Sequence, residues 1–345
     1  MTHILIASPT MGSYGGIEAF CLELAKYVSS IDGFTTTLAL KLVRGHEVDQ
    51  RLKGILDDAQ IPYRIVAKSS GDLLKLIRAS DLVHAQNASP DIAVMTKLCS
   101  AKLVQTIHNH LYDRPFARTL SWKFGALLAD MRLYNSNFVQ QSWGYRDEVK
   151  DRVMPTVSRL EMNFSPIEKR RGFVFISRLI ANKGADTLIE AYARASLNRA
   201  EHPLRIVGDG PMREALQTLA QRLGIEVDFK GFVDEDTKRR LTREARWLAA
   251  PANTREDMGL TPLEARANGI PVIATRDGGL PESAGPGALL CTPGNVDELA
   301  RLLEQAAAMD SDEYQRLSKL GYSTLEAHLT PMDFYPTLYR KLLAK

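Results

Sequence analysis

Cysteine is scarce in this chain, with three among its 345 residues. Cys21, Cys99 and Cys291 lie far apart and have neither metal-binding nor redox spacing, which is typical of a protein in a reducing cytoplasm. No apolar run approaches about 18 residues, so we expect no transmembrane helix. The N-terminus has no basic leader before the apolar residues 4–7, which predict a first strand rather than a signal peptide.

A strong charge of either sign is also missing. The net charge of +3 is too small to favour nucleic acid as a partner, although it is compatible with an acidic membrane surface. The sequence contains no short-period repeat and no low-complexity tract. Its composition, 45% hydrophobic and 25% charged, is ordinary for a soluble globular protein, and its length is sufficient for two domains with separate cores.

Short apolar runs with strand character alternate with amphipathic helical stretches along the chain. This alternation predicts α/β layers built on parallel sheets, with helices on both faces. The pattern restarts after the middle of the chain, so we expect two Rossmann-like domains. The predicted strands are residues 4–7, 36–40, 63–66, 82–85, 103–107 and 131–134, then 173–176, 204–207, 227–229, 247–250 and 272–274.

Residues 155–171 are the predicted join, because they contain two prolines, the basic run Lys169-Arg170-Arg171 and little periodicity. We therefore expect an N-terminal domain at residues 1–160, completed by a C-terminal helix at about 334–345 that packs back on it, and a second domain at residues 161–333. Ligands of open α/β sheets bind beyond the carboxyl ends of the strands, so the cleft between two such domains is the expected site.

The segment from Pro251 to Val272 carries the most informative pattern. Glu256 and Glu264 stand eight positions apart, with a glycine turn between them that opens a helix. Free backbone N–H groups and a positive dipole end at the helix start suit a phosphate, whereas the two carboxylates suit sugar hydroxyls. The pattern therefore predicts a site for a sugar nucleotide. The alternative is that both glutamates only complement the dipole at a helix start.

With these residues in view, the chain resembles the retaining, nucleotide-sugar-dependent glycosyltransferases of family 4 (glycosyltransferase group 1), whose GT-B architecture has two Rossmann-like domains facing a cleft. The resemblance covers nearly the whole length, and four elements match in the family's order. The matching elements are Gly15-Gly16-Ile17-Glu18, then Ser177-Arg178-Leu179 with Lys183-Gly184, then Val207-Gly208-Asp209-Gly210-Pro211, and last the Glu256/Glu264 pair.

The resemblance implies roles for the matching residues of the second domain. Arg178 and Lys183 would bind the diphosphate, where fixed cations stabilise the departing group. Glu264 would hold ribose hydroxyls and Glu256 would contact hydroxyls of the donor sugar. Backbone N–H groups at the helix start would contact phosphate, at Gly259, Leu260 and Thr261. From the residues alone, Arg178 and Lys183 also fit a pair of surface charges at a helix start.

Other matches are weaker. Gly15 and Gly16 would let the backbone approach a ligand closely, although any tight turn between strand and helix uses glycine similarly. The resemblance places His108 beside the donor sugar as a hydrogen-bond donor rather than as a general base. Gly208 belongs to a mainly structural turn before a helix with Pro211 at its first position. The resemblance places Gly208, with Phe232, near the nucleotide.

Two patterns suggest a metal ion without completing a site. His108 and His110 form a His-x-His pair, but no clustered Cys, Asp or Glu accompanies them. Asp234-Glu235-Asp236 spells the Asp-x-Asp of another glycosyltransferase architecture, yet it fits the acidic N-terminus of a short helix. We expect no metal and no cofactor besides the donor substrate, because Arg178, Lys183 and the helix N-terminus already supply positive charge.

Residues 114–124 mix basic and aromatic side chains just after His108. An amphipathic helix of this kind suits an anionic bilayer. Since lipid-linked acceptors are frequent in the family, peripheral membrane contact is one interpretation. The alternatives are a core-packing helix with exposed basic residues and a nucleic-acid site, which the modest charge disfavours.

The sequence therefore predicts a metal-independent hexosyltransferase that moves a hexose, with retention, from a UDP-hexose or GDP-mannose donor to a glycan or glycolipid hydroxyl. The expected setting is polysaccharide or lipopolysaccharide synthesis in the cytoplasm, at the inner face of the plasma membrane. Another GT-B-fold enzyme (a nucleotide-sugar epimerase or a phosphorylase) and a non-catalytic nucleotide-binding partner subunit are the alternatives. The chain departs from the family pattern at Ser177, Met258 and Arg266, and the departures at Met258 and Arg266 leave the donor sugar open.

Overall fold

The computed structural model describes residues 1–87, 89–155, 160–168, 170–326, 329 and 331–344. The chain divides into two compact units, one formed by Met1–Ser158 with Thr330–Lys345 and the other by Arg159–Leu329. Within the predicted join, Lys169 and residues 156–159 lie outside the described residues.

The first unit is built on a parallel sheet with helices on both faces. Its strands are β1 (Thr2–Thr10), β2 (Phe34–Leu42), β3 (Tyr63–Val66), β4 (Leu82–Gln86), β5 (Lys102–Ile107), β6 (Met131–Tyr134) and β7 (Asp151–Val153). Its helices before the join are α1 (Gly16–Ser29), α2 (Gln50–Asp58), α3 (Gly71–Arg78), α4 (Pro90–Leu98), α5 (Phe116–Leu127) and α6 (Asn137–Trp143). The strand order is β3-β2-β1-β4-β5-β6-β7.

The second unit repeats this plan. Its strands are β8 (Arg171–Ile176), β9 (Leu204–Val207), β10 (Asp228–Gly231), β11 (Ala245–Ala250), β12 (Val272–Thr275) and β13 (Leu289–Cys291), in the order β10-β9-β8-β11-β12-β13. A 3-10 turn at Ala181–Lys183 precedes the helices α7 (Ala185–Arg194), α8 (Arg213–Arg222), α9 (Glu235–Glu244), α10 (Leu260–Ala267), α11 (Leu280–Ala284), α12 (Val296–Ala308) and α13 (Ser311–Glu326).

The central strands are mainly apolar because helices cover both faces of each sheet, although β4 and β5 also carry buried polar residues such as His84 and Thr106. Along β1, Ile4 and Ile6 belong to the core on one face, whereas Leu5 and Ala7 belong to the core on the other. This period of two residues explains why a strand buried on both faces is a continuous apolar run in the sequence.

The C-terminal helix α14 (Phe334–Leu343) belongs to the first unit. Its residues Tyr335, Leu338 and Tyr339 are buried in the same core cluster as Ile4 and Phe20. The predicted fold class is confirmed: both units are Rossmann-like, and the last helix packs back on the first of them.

The helix position predicted for Pro211 is wrong. Helix α8 begins at Arg213 and its N-cap is Met212, so Pro211 lies in the preceding turn. The backbone N–H of Met212 donates to the Leu179 carbonyl at 3.0 Å, and that of Gly210 donates to Asp209 Oδ1 at 2.7 Å. These bonds hold the turn against the loop after β8, which delays the start of the helix.

Arg266, a departure from the family pattern, is buried in α10. Its Nε donates to the Gly321 carbonyl at 3.1 Å and its Nη1 to the Ser283 carbonyl at 3.0 Å. Burial lowers the pKa of Arg266 to about 10. The arginine therefore ties α10 to α13 and α11, which is a packing role.

Candidate functional site

The loops that follow β8 and β11 adjoin each other because these two strands are neighbours in the second sheet. Their contact is close: a Cβ on Gly184, whose φ is +75°, would lie 1.9 Å from the Pro251 carbonyl oxygen. The backbone N–H of Asn253 donates to the Asn182 carbonyl at 3.0 Å. The two loops are thus held together from both sides of Lys183.

This contact brings two predicted site residues into an ion pair. Lys183 Nζ donates to Glu256 Oε1 at 2.6 Å, and both side chains are about four-fifths buried, with relative exposures of 20% and 19%. A charge-assisted bond of this length in a partly desolvated place is among the stronger hydrogen bonds in proteins. The motif spacing assigned the two residues to different parts of a ligand and did not predict their pairing.

The loop carrying Glu256 is fixed from the other side by two glycines. The backbone N–H of Gly279 donates to the Glu256 carbonyl at 2.7 Å. A Cβ on Gly278, whose φ is +66°, would lie 2.4 Å from that carbonyl oxygen. Glu256 therefore stands on a well-supported backbone, three residues before the N-cap of α10, Gly259.

Arg178 lies at the carboxyl end of β8 and is exposed. Within the described part of the chain, its guanidinium has no hydrogen-bond or ion-pair partner. The backbone beside it is anchored, because Leu179 is buried and its N–H donates to the Asp209 carbonyl at 2.9 Å. Arg178 thus combines a fixed main chain with a cation that is available to a ligand.

Gly208 makes the neighbouring turn possible. Its φ is +132°, and a Cβ there would lie 1.8 Å from the Ser177 carbonyl oxygen. Its N–H donates to the Gly231 carbonyl at 2.8 Å, which joins the ends of β9 and β10. The geometry shows a structural turn at Gly208, and Phe232 follows β10 as an exposed side chain.

Helix α10 begins at Leu260 without a side-chain cap on its first N–H groups. Its N-cap, Gly259, is closely packed, since a Cβ there would lie 2.8 Å from the Leu280 side chain. Pro262, the third helical residue, has no N–H, so the donors that this helix start offers to an anion include those of Leu260 and Thr261.

Glu264 lies in the second turn of α10, and its two carboxylate oxygens differ. Oε1 accepts a bond from Lys238 Nζ at 3.0 Å, whereas Oε2 is buried and has no partner among the described residues. Burial raises the pKa of Glu264, and the nearby charge of Lys238 partly offsets this effect. Sequence reasoning missed Lys238, which lies on α9 and comes to Glu264 only through helix packing.

The acidic run before Lys238 is a helix start, as the sequence indicated. Asp234 is the N-cap of α9, and its Oδ1 accepts a bond from the Thr237 N–H at 2.7 Å. This backbone bond lowers the pKa of Asp234. Among the residues that the structure describes, no group of three or more His, Cys, Asp or Glu side chains is arranged to hold a metal ion.

In the first unit, Gly15 is the N-cap of α1, and its N–H donates to Glu18 Oε2 at 3.2 Å. Its φ of −142° is open to any residue. The glycine that the loop after β1 requires is Gly12, with φ +87° and a Cβ position 1.8 Å from the Glu47 carbonyl oxygen. Sequence reasoning singled out Gly15 and Gly16 and missed Gly12.

His108 follows β5 and is mostly buried. Its Nε2 is hydrogen bonded to Gln86 Oε1 at 2.8 Å, its backbone N–H donates to Asn87 Oδ1 at 3.0 Å, and its carbonyl accepts a bond from Asn135 Nδ2 at 3.1 Å. Two amide side chains therefore hold the His108 backbone, and a third, that of Gln86, is bonded to its ring. His110, two residues on, packs against the Phe138 ring at 5.3 Å between centroids.

Residues 114–124 fall at the start of α5, which has two different faces. Gly125 and Ala126 are buried, and Trp122 stacks on Trp143 with ring centroids 6.4 Å apart. Away from these contacts, α5 carries a stripe of strongly exposed apolar side chains: Phe116 (81%), Leu120 (59%), Phe124 (52%) and Leu127 (58%).

The charged residues within this stretch are basic, although Asp113 precedes it and Asp130 follows it. Arg114, Arg118 and Lys123 are basic, and residues 114–129 include no Asp or Glu. The guanidinium carbons of Arg114 and Arg118 lie 4.8 and 5.2 Å from the centre of the Trp122 ring. Helix α5 is thus neither a purely core-packing helix nor a purely polar one. Across the described ranges, no helix is long and apolar enough to cross a membrane.

The match to a known protein family lies in the second unit. Residues 158–324 match the family model described as Glycosyl transferases group 1. A GDP-mannose-dependent monoacylated alpha-(1-6)-phosphatidylinositol monomannoside mannosyltransferase of Corynebacterium glutamicum is 37% identical over 134 residues, which are 37% of this chain and 35% of that protein. The lipopolysaccharide core biosynthesis glycosyltransferase LpsE of Rhizobium meliloti is 35% identical over 174 residues, 49% of this chain and 48% of LpsE. The aligned stretches thus span a third to a half of these relatives.

Solved structures extend the likeness in fold to the whole chain. Anabaena HepE in complex with UDP superposes with a TM-score of 0.81 over 100% of both chains, at 22% identity. The same protein has been solved with UDP-glucose, with a TM-score of 0.79 at 20% identity. At this level of identity the likeness establishes the fold, which is the GT-B fold.

Proposed function

We propose that the protein is a retaining glycosyltransferase, because residues 158–324 match the family model described as Glycosyl transferases group 1. It would transfer a hexose from a nucleoside diphosphate sugar to a hydroxyl of a glycan or glycolipid. The names of the relatives support a role in cell-surface polysaccharide, lipopolysaccharide or glycolipid synthesis. Retention of configuration rests on the family resemblance.

The observation that carries the proposal is the Lys183–Glu256 pair, together with Arg178 on the same loop, whose guanidinium has no partner among the residues that the structure describes. A nucleoside diphosphate gains negative charge as the glycosidic bond breaks. Cations held on rigid backbone before the reaction stabilise that charge without reorganising. We assign the diphosphate to Lys183 and Arg178, and the hydroxyls of the donor sugar to the Glu256 carboxylate.

The rest of the nucleotide is assigned along α10 and the neighbouring turns. Glu264 would accept ribose hydroxyls, and the backbone N–H groups of the helix start, at Gly259, Leu260 and Thr261, would bind phosphate. Positions near the nucleotide for Gly208 and Phe232 follow from the resemblance. For the first unit, the roles of Gly15, Gly16 and His108 stay predictions.

The donor is a UDP-hexose or GDP-mannose. The solved structure of HepE contains UDP-glucose, and the relative from C. glutamicum is named for GDP-mannose, so each class has a precedent. We propose that no metal ion is required, because two cationic side chains and a helix N-terminus supply positive charge at the diphosphate.

The acceptor is proposed to be presented at the inner face of the plasma membrane. The apolar stripe of α5 and its basic neighbours combine the two features that bind a helix to an anionic bilayer surface. The enzyme would then reach a lipid-linked acceptor while the acceptor stays in the membrane.

The assignment of the diphosphate is tested by titration calorimetry with UDP and GDP. Arg178→Ala and Lys183→Ala should each weaken binding of the nucleotide about tenfold or more, because each removes charge-assisted bonds to phosphate. Arg316→Ala is the matched control, since Arg316 is an exposed arginine of the same unit that pairs with Glu313. Equal affinity in all three variants would contradict the assignment.

A rival enzyme activity and a non-catalytic subunit give different outcomes. An epimerase would change the donor sugar without an acceptor, and a phosphorylase would need inorganic phosphate. A non-catalytic subunit would bind nucleotide without turning over any donor. Analysis of the products formed from UDP-glucose or GDP-mannose, with and without a glycolipid extract, separates these outcomes.

A further inference from the structure

Lys238 lies between two carboxylates at the start of α9. Its Nζ is 2.8 Å from Glu235 Oε2, one turn back on the same helix, and 3.0 Å from Glu264 Oε1 on α10. Glu235 is exposed, whereas Lys238 and Glu264 are mostly buried side chains. The inner pair therefore lies where water competes least, and the outer pair lies at the rim.

The other charged groups around Glu264 have different partners. Arg243 Nε donates to Asn268 Oδ1 at 2.8 Å, and Arg239 Nη1 is 3.4 Å from Glu161. Asn268 in turn donates to the Glu264 backbone carbonyl at 2.8 Å. These contacts leave Lys238 as the cation that is bonded to the Glu264 carboxylate in the described structure.

The second carboxylate oxygen of Glu264 lacks a hydrogen-bond donor among the described residues. Oε2 is buried without a hydrogen-bond partner in the described chain, a costly state for a polar atom. Glu264, Lys238 and Asn268 line a cavity of about 30 Å³ at this point. That volume has room for one group about the size of a water molecule or a hydroxyl.

We propose that Lys238 is a positioning residue for the nucleotide: it holds Glu264 through Oε1 so that Oε2 accepts a hydrogen bond from a ribose hydroxyl. The inference rests on the proposed function, because it needs a nucleotide at Glu264. It adds a residue outside the motifs that carry the family resemblance.

The charge of Lys238 also matters for the state of the carboxylate. Burial raises the pKa of Glu264 and the charge of Lys238 opposes that rise. Burial lowers the pKa of Lys238 itself, but its pairing with Glu264 and Glu235 outweighs this and the net shift is upward. Removing Lys238 would let Glu264 take up a proton at a higher pH, which weakens it as an acceptor.

The test is titration calorimetry with UDP, GDP and their 2′,3′-dideoxy counterparts. The protein should prefer one ribonucleotide over its dideoxy counterpart by about tenfold or more, as expected for hydroxyl bonds to a carboxylate. In Lys238→Met that ratio should fall below about threefold, and Lys238→Arg should restore most of it. Thermal unfolding checks that the variants fold, with Lys238→Gln as a second variant if Lys238→Met does not.

Two further readouts distinguish positioning from a merely structural ion pair. In Lys238→Met, the loss of ribonucleotide affinity on acidification should begin at a higher pH than in the unaltered protein. Glu235→Gln removes only the rim partner of Lys238 and should keep the ribose preference. If Lys238→Met kept the preference for the ribonucleotide, or if Glu235→Gln lost it equally, the inference about Lys238 would be overturned. The proposed function would not be affected by either result. If the unaltered protein binds neither UDP nor GDP, the proposed function fails together with the inference.

Discussion

At Lys183 and Glu256, a cation and a carboxylate share one hydrogen bond of 2.6 Å. Each satisfies the other in a partly buried place, where an unpaired charge would be costly. A diphosphate that engages Lys183 must compete with Glu256. A sugar hydroxyl that donates to Glu256 would compensate the carboxylate for that loss. On the proposed assignment, the pair would therefore couple binding of the diphosphate to binding of the donor sugar.

Glu256→Gln separates turnover from nucleotide binding. Turnover of the donor should fall about 100-fold, because a carboxylate contact near the reacting carbon is lost. The affinity for UDP or GDP should not fall, since Lys183 is released from its partner. Steady-state kinetics and calorimetry on the same preparation measure both quantities. Equal turnover in the variant would exclude a role for Glu256 at the sugar.

Single residues also mark the limits of sequence reasoning. The spacing of Glu256 and Glu264 indicated an acidic site at a helix start, and the structure places both residues there. It gave no hint of Lys238, because Lys238 and Glu264 are 26 positions apart and meet only when α9 packs beside α10. Gly12 was missed for a similar reason, since its clash partner Glu47 is distant in sequence.

Among the described elements, helix α5 has a solvent-exposed face that is largely apolar. Its apolar stripe repeats at intervals of three or four residues and so follows one side of the helix. The sequence offered a core-packing helix and a membrane-contacting helix as alternatives. Gly125 and Ala126 are buried and Phe116 is exposed, so the helix has one packed face and one exposed apolar face. Membrane contact through the exposed face stays a prediction.

Phe116→Ser with Phe124→Ser should weaken binding to vesicles that contain anionic phosphatidylglycerol about tenfold or more, because each change removes an apolar side chain from the bilayer interface. Leu98→Ser is the control, since Leu98 is 78% exposed on α4 of the same unit. Cosedimentation with vesicles measures binding. If the double variant bound anionic vesicles as well as the control does, membrane contact through α5 would be contradicted. It would also be contradicted if the unaltered protein bound neutral phosphatidylcholine vesicles as well as anionic ones.

Helix α14 is fastened to the first sheet by a buried polar contact. Tyr339 Oη is 2.6 Å from His84 Nδ1, and His84 Nε2 is 2.7 Å from Thr106 Oγ1. Burial, with a smaller contribution from His108, lowers the pKa of His84 to about 3. The imidazole is therefore neutral in the folded protein at neutral pH.

This contact predicts sensitivity to acid. An unfolded chain protonates His84 near pH 6.5, whereas the folded chain resists until about pH 3, so stability is lost as the pH falls below about 6.5. Between pH 7 and pH 5 the protein should lose about 2 kcal/mol more unfolding free energy than His84→Gln. Urea titrations at both pH values measure the difference. An identical loss in protein and variant would show that His84 takes up its proton at the same pH in the folded and the unfolded chain, which would contradict the lowered pKa.

On the scale of the whole molecule, the alternation of apolar runs predicted both sheets because central parallel strands are buried on both faces. It missed β7 and β13, which are edge strands of three residues each. In β7 the sequence Asp151-Arg152-Val153 carries almost no apolar pattern, since its pairing with β6 depends on the backbone. Short edge strands without an apolar run are the elements that periodicity did not detect.

The central claim, that this chain uses a nucleoside diphosphate sugar without a metal ion, is tested most directly by thermal unfolding with UDP, GDP, ADP and their sugar conjugates, in EDTA. A ligand of the folded state at about 100 times its Kd raises the melting temperature of the domain it binds by about 5 °C or more. We predict such a shift with the uridine or the guanosine series, undiminished by EDTA. No shift with any nucleotide would contradict the account, and a shift abolished by EDTA would contradict its metal independence.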